Sequence, residues 1–217
     1  MSYSLNTTIL NPLSGKNPKN AVILCHGYGG DGKDISLLAN YWKKYLPETI
    51  FICPDAPEKC ALSPTGFQWF DLTDQSADQI LTKSFVAEIK LNNLIDEVMK
   101  KNDLNSDKLA LVGFSQGCMI SLQTGIKRKD KINCIIGYSG RIINVSHLEK
   151  NILARPSILL MHGDNDKVVP VESLLESIDF FNRNNYSIKS KIFKNCEHRI
   201  PTEGSSLGLE FIKENLY

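Results

Sequence analysis

The chain has 217 residues, 42% hydrophobic and 23% charged, the make-up of a folded protein with one sizeable core, not of a disordered chain or two catalytic domains. Lys and Arg number 25 against 24 Asp and Glu, a net charge of +1, so no cationic excess is available for nucleic acid. No apolar run approaches the roughly 20 residues of a membrane span, and Met1–Asn6 has neither the basic nor the apolar stretch of a secretory leader.

In chain order, Tyr3–Leu10 is a weak strand suited to a sheet edge, and Ala21–Cys25 (AVILC) is a continuously apolar strand. Asp34 is expected to cap a helix that runs to Leu46, where Pro47 stops it. Thr49–Cys53 (TIFIC) is the next strand. Asp55–Gln79 then shows no periodicity yet contains Leu62, Phe67, Trp69 and Phe70; a loop that long in a compact domain is more often functional than idle. These four residues either pin the loop to the body or form an apolar substrate-binding wall.

Leu81, Phe85 and Ile89 recur at helical spacing, and Leu94, Ile95 and Val98 carry that helix toward Lys100. Strands follow at Lys108–Phe114, Ile132–Tyr138, Ser157–Met161 and Ser187–Phe193, with helices at Val171–Asn182 and Ser206–Leu216. Lys127–Lys131 reads as the solvated, cationic end of the helix after Phe114. Strands alternating with helices predict an α/β fold: a mostly parallel central sheet with helices on both faces, in one domain over residues 1–217. The connection between Tyr138 and Ser157 is too short for a large cap domain, so any site there is open. Of the six cysteines, Cys25, Cys53 and Cys134 lie inside strands and no CxxC pair occurs. Neither a disulfide framework nor a metal site is therefore expected, and the expectation is a cytoplasmic, reduced protein without stable membrane insertion.

Gly113-Phe114-Ser115-Gln116-Gly117 is a G-x-S-x-G between an apolar strand and a helix. In that context Ser115 sits on a sharp turn at the sheet's carboxyl edge, where side chains at 113 and 117 would collide with neighbouring chain. A serine hydroxyl becomes nucleophilic when a neighbouring base takes its proton. Doubly wound hydrolases supply the partners in the order Ser, acid, His. Of His26, His147, His162 and His198, only His198 follows the last strand and precedes the final helix. The loop after SILLM offers Asp164 and Asp166; Asp166 is preferred, and spacing alone leaves both open. The tetrahedral intermediate needs backbone donors, for which the N–H groups of Gln116 and Tyr28 are the candidates, Tyr28 lying in the glycine loop His26–Gly32.

That loop carries a competing pattern. Gly27, Gly29 and Gly32 satisfy G-x-G-x-x-G, with Asp55 after the next strand, the outline of a dinucleotide-binding oxidoreductase. Asp31 opposes a pyrophosphate there, and a cap at Asp34 places the helix beyond the glycines. This alternative also leaves Ser115, Asp166 and His198 unused. A second alternative is a catalytically silent binding protein, which has no need of all three.

The motifs HGYGGDG at His26–Gly32, PDAPE at Pro54–Glu58, QWFD at Gln68–Asp71, GFSQG at Gly113–Gly117, HGDND with VVP over His162–Pro170, and His198 run nearly end to end. In that order they resemble the acyl-protein thioesterase/lysophospholipase/carboxylesterase family of small α/β-hydrolases. The resemblance implies a serine esterase or thioesterase with Ser115, Asp166 and His198 as triad and Tyr28 and Gln116 as oxyanion donors, and it selects Asp166 over Asp164. It implies no metal or organic cofactor, a small or lipid-like acyl ester or an acylated protein as substrate, and it allows a homodimer. Two positions depart from the family: Cys118 stands where a second glycine is common, and Glu197 where a glycine often precedes the histidine.

Overall fold

The computed structural model of the chain describes residues 3–74 and 76–217; Met1 and Ser2 of the leader reading and Gln75 of the long loop lie outside the described residues. Seven strands form one sheet. They are β1 (Thr7–Leu10), β2 (Asn20–Cys25), β3 (Thr49–Pro54), β6 (Leu109–Phe114), β7 (Cys134–Tyr138), β8 (Ser157–Gly163) and β9 (Ile188–Phe193), in the order β1-β3-β2-β6-β7-β8-β9. β1 pairs antiparallel with β3 and every other pairing is parallel. A separate two-stranded ladder, β4 (Glu58–Lys59) with β5 (Phe67–Gln68), lies in the long loop.

The continuous apolar runs are explained by cover on both faces. Ile23, Leu111, Ile135 and Leu160 point into one cluster, under α2 (Ala77–Asn102), α3 (Gln116–Ile126) and α5 (Glu172–Arg183). Their neighbours Leu24, Val112, Ile136 and Met161 point into the other, under α1 (Gly32–Trp42) and α6 (Thr202–Leu216). Side chains alternate across a strand, so both sets must be apolar for both faces to be dry. β9, at the edge, keeps four exposed residues in six. Between β7 and β8 stands only α4 (Val145–Lys150), with no cap domain. No helix among the described residues is long and apolar enough to cross a membrane.

Three expectations change. The cap of α1 is Asp31, whose side chain accepts from the Asp34 N–H at 2.8 Å, so the helix opens at Gly32, inside the glycine loop. On α2 the Phe85 and Ile89 stripe faces outward, 39% and 60% exposed, while Ile80, Ser84, Ala87, Leu91, Leu94, Ile95 and Val98 face inward. Lys127 and Arg128 are not simply solvated: they pair with Glu88 and Asp96 of α2.

The sheet order positions the site. From β2 the chain steps outward to β3 and then crosses back to β6 on β2's other side, so the carboxyl ends of β2 and β6 adjoin, with Cys25 opposite Gly113. Such a topological switch point is where open α/β sheets leave a crevice for ligand.

Candidate active site

Ser115 follows β6 and is the N-cap of α3, held at φ 54°, ψ −117°. Positive φ in a non-glycine residue is strained and clusters at functional turns. The flanking glycines are required by close approach: a Cβ on Gly113 would lie 2.3 Å from the Gly117 carbonyl oxygen, and one on Gly117 would lie 2.1 Å from that of Cys25. The Ser115 N–H donates to the Tyr138 carbonyl at 2.8 Å, tying the turn to the end of β7.

After β8, the Asp166 side chain is fully buried and held from several sides. Its Oδ1 accepts from the N–H groups of Val168 and Val169, each at 2.9 Å, and its Oδ2 lies 2.7 Å from His198 Nδ1. A carboxylate only accepts, so Nδ1 carries a proton, and in the neutral ring Nε2 is then the nitrogen with the lone pair. Burial pushes the Asp166 carboxyl up, but the His198, Val169 and Val168 hydrogen bonds outweigh it and hold the group below the usual carboxylate range. Asp164 is exposed on the same loop.

The His198 ring packs on Phe114, the residue before Ser115, with centroids 4.9 Å apart. Tyr28 lines both the cavity that contains Ser115 and the neighbouring one that contains His198. Among the described residues no hydrogen bond joins the Ser115 hydroxyl to His198; before substrate binds, such bonds are often long and tighten in the complex. The backbone N–H groups of Tyr28 and Gln116 have no protein acceptor among the described residues, which leaves both free for an oxyanion.

Sequence reasoning missed what supports this set. His26 is 2% exposed; its Nδ1 donates to the Gly27 carbonyl at 2.7 Å and its Nε2 accepts the Ala56 N–H at 2.9 Å. His162, equally buried, donates from Nε2 to the Val169 carbonyl at 2.8 Å and lies 3.4 Å from Asp166 Oδ2. Burial holds both imidazoles below the ordinary histidine value. The Gln116 side chain accepts from the Trp69 N–H at 2.8 Å and donates to the Phe70 carbonyl at 2.6 Å. The signal available for these roles was only their position, His26 directly after β2 and His162 next to the last residue of β8.

The substrate-wall expectation is corrected for two of its four residues. Trp69 and Phe70 are completely buried, and the Trp69 indole donates to the His26 carbonyl at 3.0 Å. They anchor the loop, since side chains without exposed surface cannot line an open groove. Phe67 is half-buried beneath the Lys59 ammonium, and Leu62 is 84% exposed.

The dinucleotide reading loses one argument and gains another. The helix does open within the glycines. Its N-terminus is already occupied by carboxylates, however: Asp31 caps it, and Asp55 Oδ1 accepts the Gly32 N–H at 2.9 Å. Two anions where a pyrophosphate would sit exclude that use. Cys118 fills the space beside Gly137 and Gly140, and burial pushes its thiol up to about 12, so it serves as packing. Glu197 is exposed, and nothing in the structure explains its presence.

Comparison with known proteins agrees with the fold. Residues 10–216 match the phospholipase/carboxylesterase family model. Acyl-protein thioesterase 1 of Saccharomyces cerevisiae is 28% identical over 218 residues, covering 91% of this chain and 93% of the yeast protein. The crystal structure of esterase PE8 superposes with a TM-score of 0.93 at 33% identity, covering 98% of this chain and 99% of that one. Acyl-protein thioesterase 2 of Zea mays shares the fold, with a TM-score of 0.76 at 23% identity over 98% of this chain and 99% of its own. The chain belongs to the phospholipase/carboxylesterase family, carboxylic ester hydrolases built on the α/β-hydrolase fold.

Proposed function

We propose that this protein is a serine hydrolase that cleaves carboxylic esters or thioesters by two-step acyl transfer. Ser115 Oγ attacks the acyl carbonyl while His198 Nε2 takes its proton. The imidazolium, steadied by Asp166, returns that proton to the departing alcohol or thiol. Water activated by the same imidazole then attacks the acyl-enzyme, releasing the acid and restoring the serine. The N–H groups of Tyr28 and Gln116 hold the oxyanion in both tetrahedral intermediates; losing one such donor typically costs about 10²–10³ in rate.

The observation that carries this reading is the 2.7 Å bond from His198 Nδ1 to a fully buried Asp166, together with a serine held on a strained turn. The absence of a cap between β7 and β8 favours bulky leaving groups, such as a lipid headgroup or a protein cysteine. The name of the yeast relative, acyl-protein thioesterase 1, points the same way. All six cysteines are free thiols and all are buried, which suits a reducing compartment.

The test is turnover of p-nitrophenyl butyrate, extended to matched oxygen and sulfur esters of increasing chain length. Wild-type turnover that Ser115→Ala abolishes supports the reading. Turnover that survives the substitution overturns the nucleophile, and an inert wild type favours a silent binding protein.

A further inference from the structure

The cavity that contains Ser115 has a volume of about 220 Å3 and is bounded by Tyr28, Gln116, Met119, Val169 and, on one side, Arg141. Proton transfer and oxyanion binding as described above give Arg141 no task. Its side chain is half-buried, and among the described residues it makes no ion pair, hydrogen bond or ring contact. No carboxylate lines the cavity. The nearby acids are engaged elsewhere, Asp166 by His198 and two backbone N–H groups, and Asp71 by Lys83 at 2.6 Å.

A partly desolvated cation with no counter-charge is unfavourable unless something else supplies the anion. The guanidinium fork fits a carboxylate or a phosphate through two parallel hydrogen bonds. The surroundings reinforce its sign, because the N-terminus of α3 faces the same cavity with the Gln116 N–H unpartnered. The backbone delivering Arg141 is itself strained: Ser139 sits at φ 49° and is 1% exposed, with a hydroxyl that finds no partner.

We propose that Arg141 is a specificity-determining residue that binds a carboxylate or phosphate carried by the substrate into the Ser115 cavity. Its preferred substrates are therefore anionic esters. The inference rests on Ser115 as the reacting residue and adds to that reading the charge of the substrate.

Two matched pairs of esters locate the anion. p-Nitrophenyl butyrate against the p-nitrophenyl monoester of glutaric acid places it on the acyl side. A monoacylglycerol against the lysophosphatidic acid of the same acyl chain places it on the leaving-group side. In one pair, Arg141→Gln lowers the anionic-to-neutral ratio of kcat/KM about ten- to hundred-fold, the scale of one charge-assisted contact, and Arg141→Lys restores part of it. Added salt shrinks the wild-type ratio and leaves that of Arg141→Gln nearly flat.

Ratios unmoved by Arg141→Gln in both pairs overturn the proposal, as does an equal fall on neutral and anionic members, which marks a structural role. Titration of the glutarate monoester and of lysophosphatidic acid into Ser115→Ala, with and without Arg141→Gln, reads the same site without turnover. Arg141-dependent binding in a protein whose wild type hydrolyses no ester would sink the serine-hydrolase reading and leave the anion site standing.

Discussion

Replacing His26 by alanine separates holding the proposed oxyanion loop from merely filling space. The ring is buried, donates to the Gly27 carbonyl at 2.7 Å and accepts the Ala56 N–H at 2.9 Å. Truncation leaves the Ala56 N–H buried and unpaired and removes one donor from Gly27, a combined cost of about 2–4 kcal/mol. The catalytic effect follows from peptide geometry. The Gly27 carbonyl and the Tyr28 N–H belong to one trans peptide and point in opposite directions, so pinning the first aims the second. The Gly30 N–H, at 3.1 Å from the same carbonyl, remains as a weaker restraint.

His26→Ala should therefore lower kcat about 10- to 100-fold, less than complete loss of a donor, with KM little changed. Urea unfolding and p-nitrophenyl butyrate kinetics measure the two effects on one preparation. The pH dependence has a definite sign. Burial lowers the folded-state value of His26 below the unfolded one, about 6.5, so the neutral ring's contribution is complete above that pH and is lost as the pH falls below it. The wild type should lose stability in that acid range more steeply than His26→Ala, with His162 supplying the shared remainder. A variant destabilised as expected whose kcat stays within about two-fold would refute the claim that His26 aims the Tyr28 N–H.

Two further outcomes follow from the same geometry. Trp69→Phe removes the indole bond to the His26 carbonyl and should cost about 1 kcal/mol in urea unfolding without altering the acyl-chain-length profile of ester hydrolysis; an altered profile would return Trp69 to the substrate wall. Asp166→Asn should reduce kcat by about 10³–10⁴ through the wrong imidazole tautomer, with stability no longer dependent on this group between pH 4 and acid. A loss below tenfold would show that Asp166 does not orient His198.

The central strands were legible because burial on both faces leaves little room for polar side chains, so AVILC and TIFIC can be little else. The proposed reacting groups could be picked out because each sits directly after such a strand or before the last helix, where chain order is informative. The face of α2 was not. Ser84 and Ala87 point into the core, a small hydroxyl and a methyl among larger residues, so the pattern of large side chains, Phe85 and Ile89, indicated the wrong side. Asp31 and Asp34 are both competent caps, and only the 2.8 Å bond from the Asp34 N–H distinguishes them.

The supporting contacts were illegible for a different reason. The Gln116 side chain meets Trp69 and Phe70 nearly fifty residues earlier in the chain, and His26 meets Ala56, pairs that only the folded crossover brings together. Without those partners the aromatic loop looked equally suited to binding and to anchoring.

Labelling with a fluorophosphonate probe, followed by mass mapping of the adduct, tests the central claim most directly. The account predicts a single phosphonylated residue, Ser115, no adduct in Ser115→Ala, and strongly slowed labelling in His198→Ala. An adduct on any other residue, or labelling of Ser115→Ala at the wild-type rate, would contradict it.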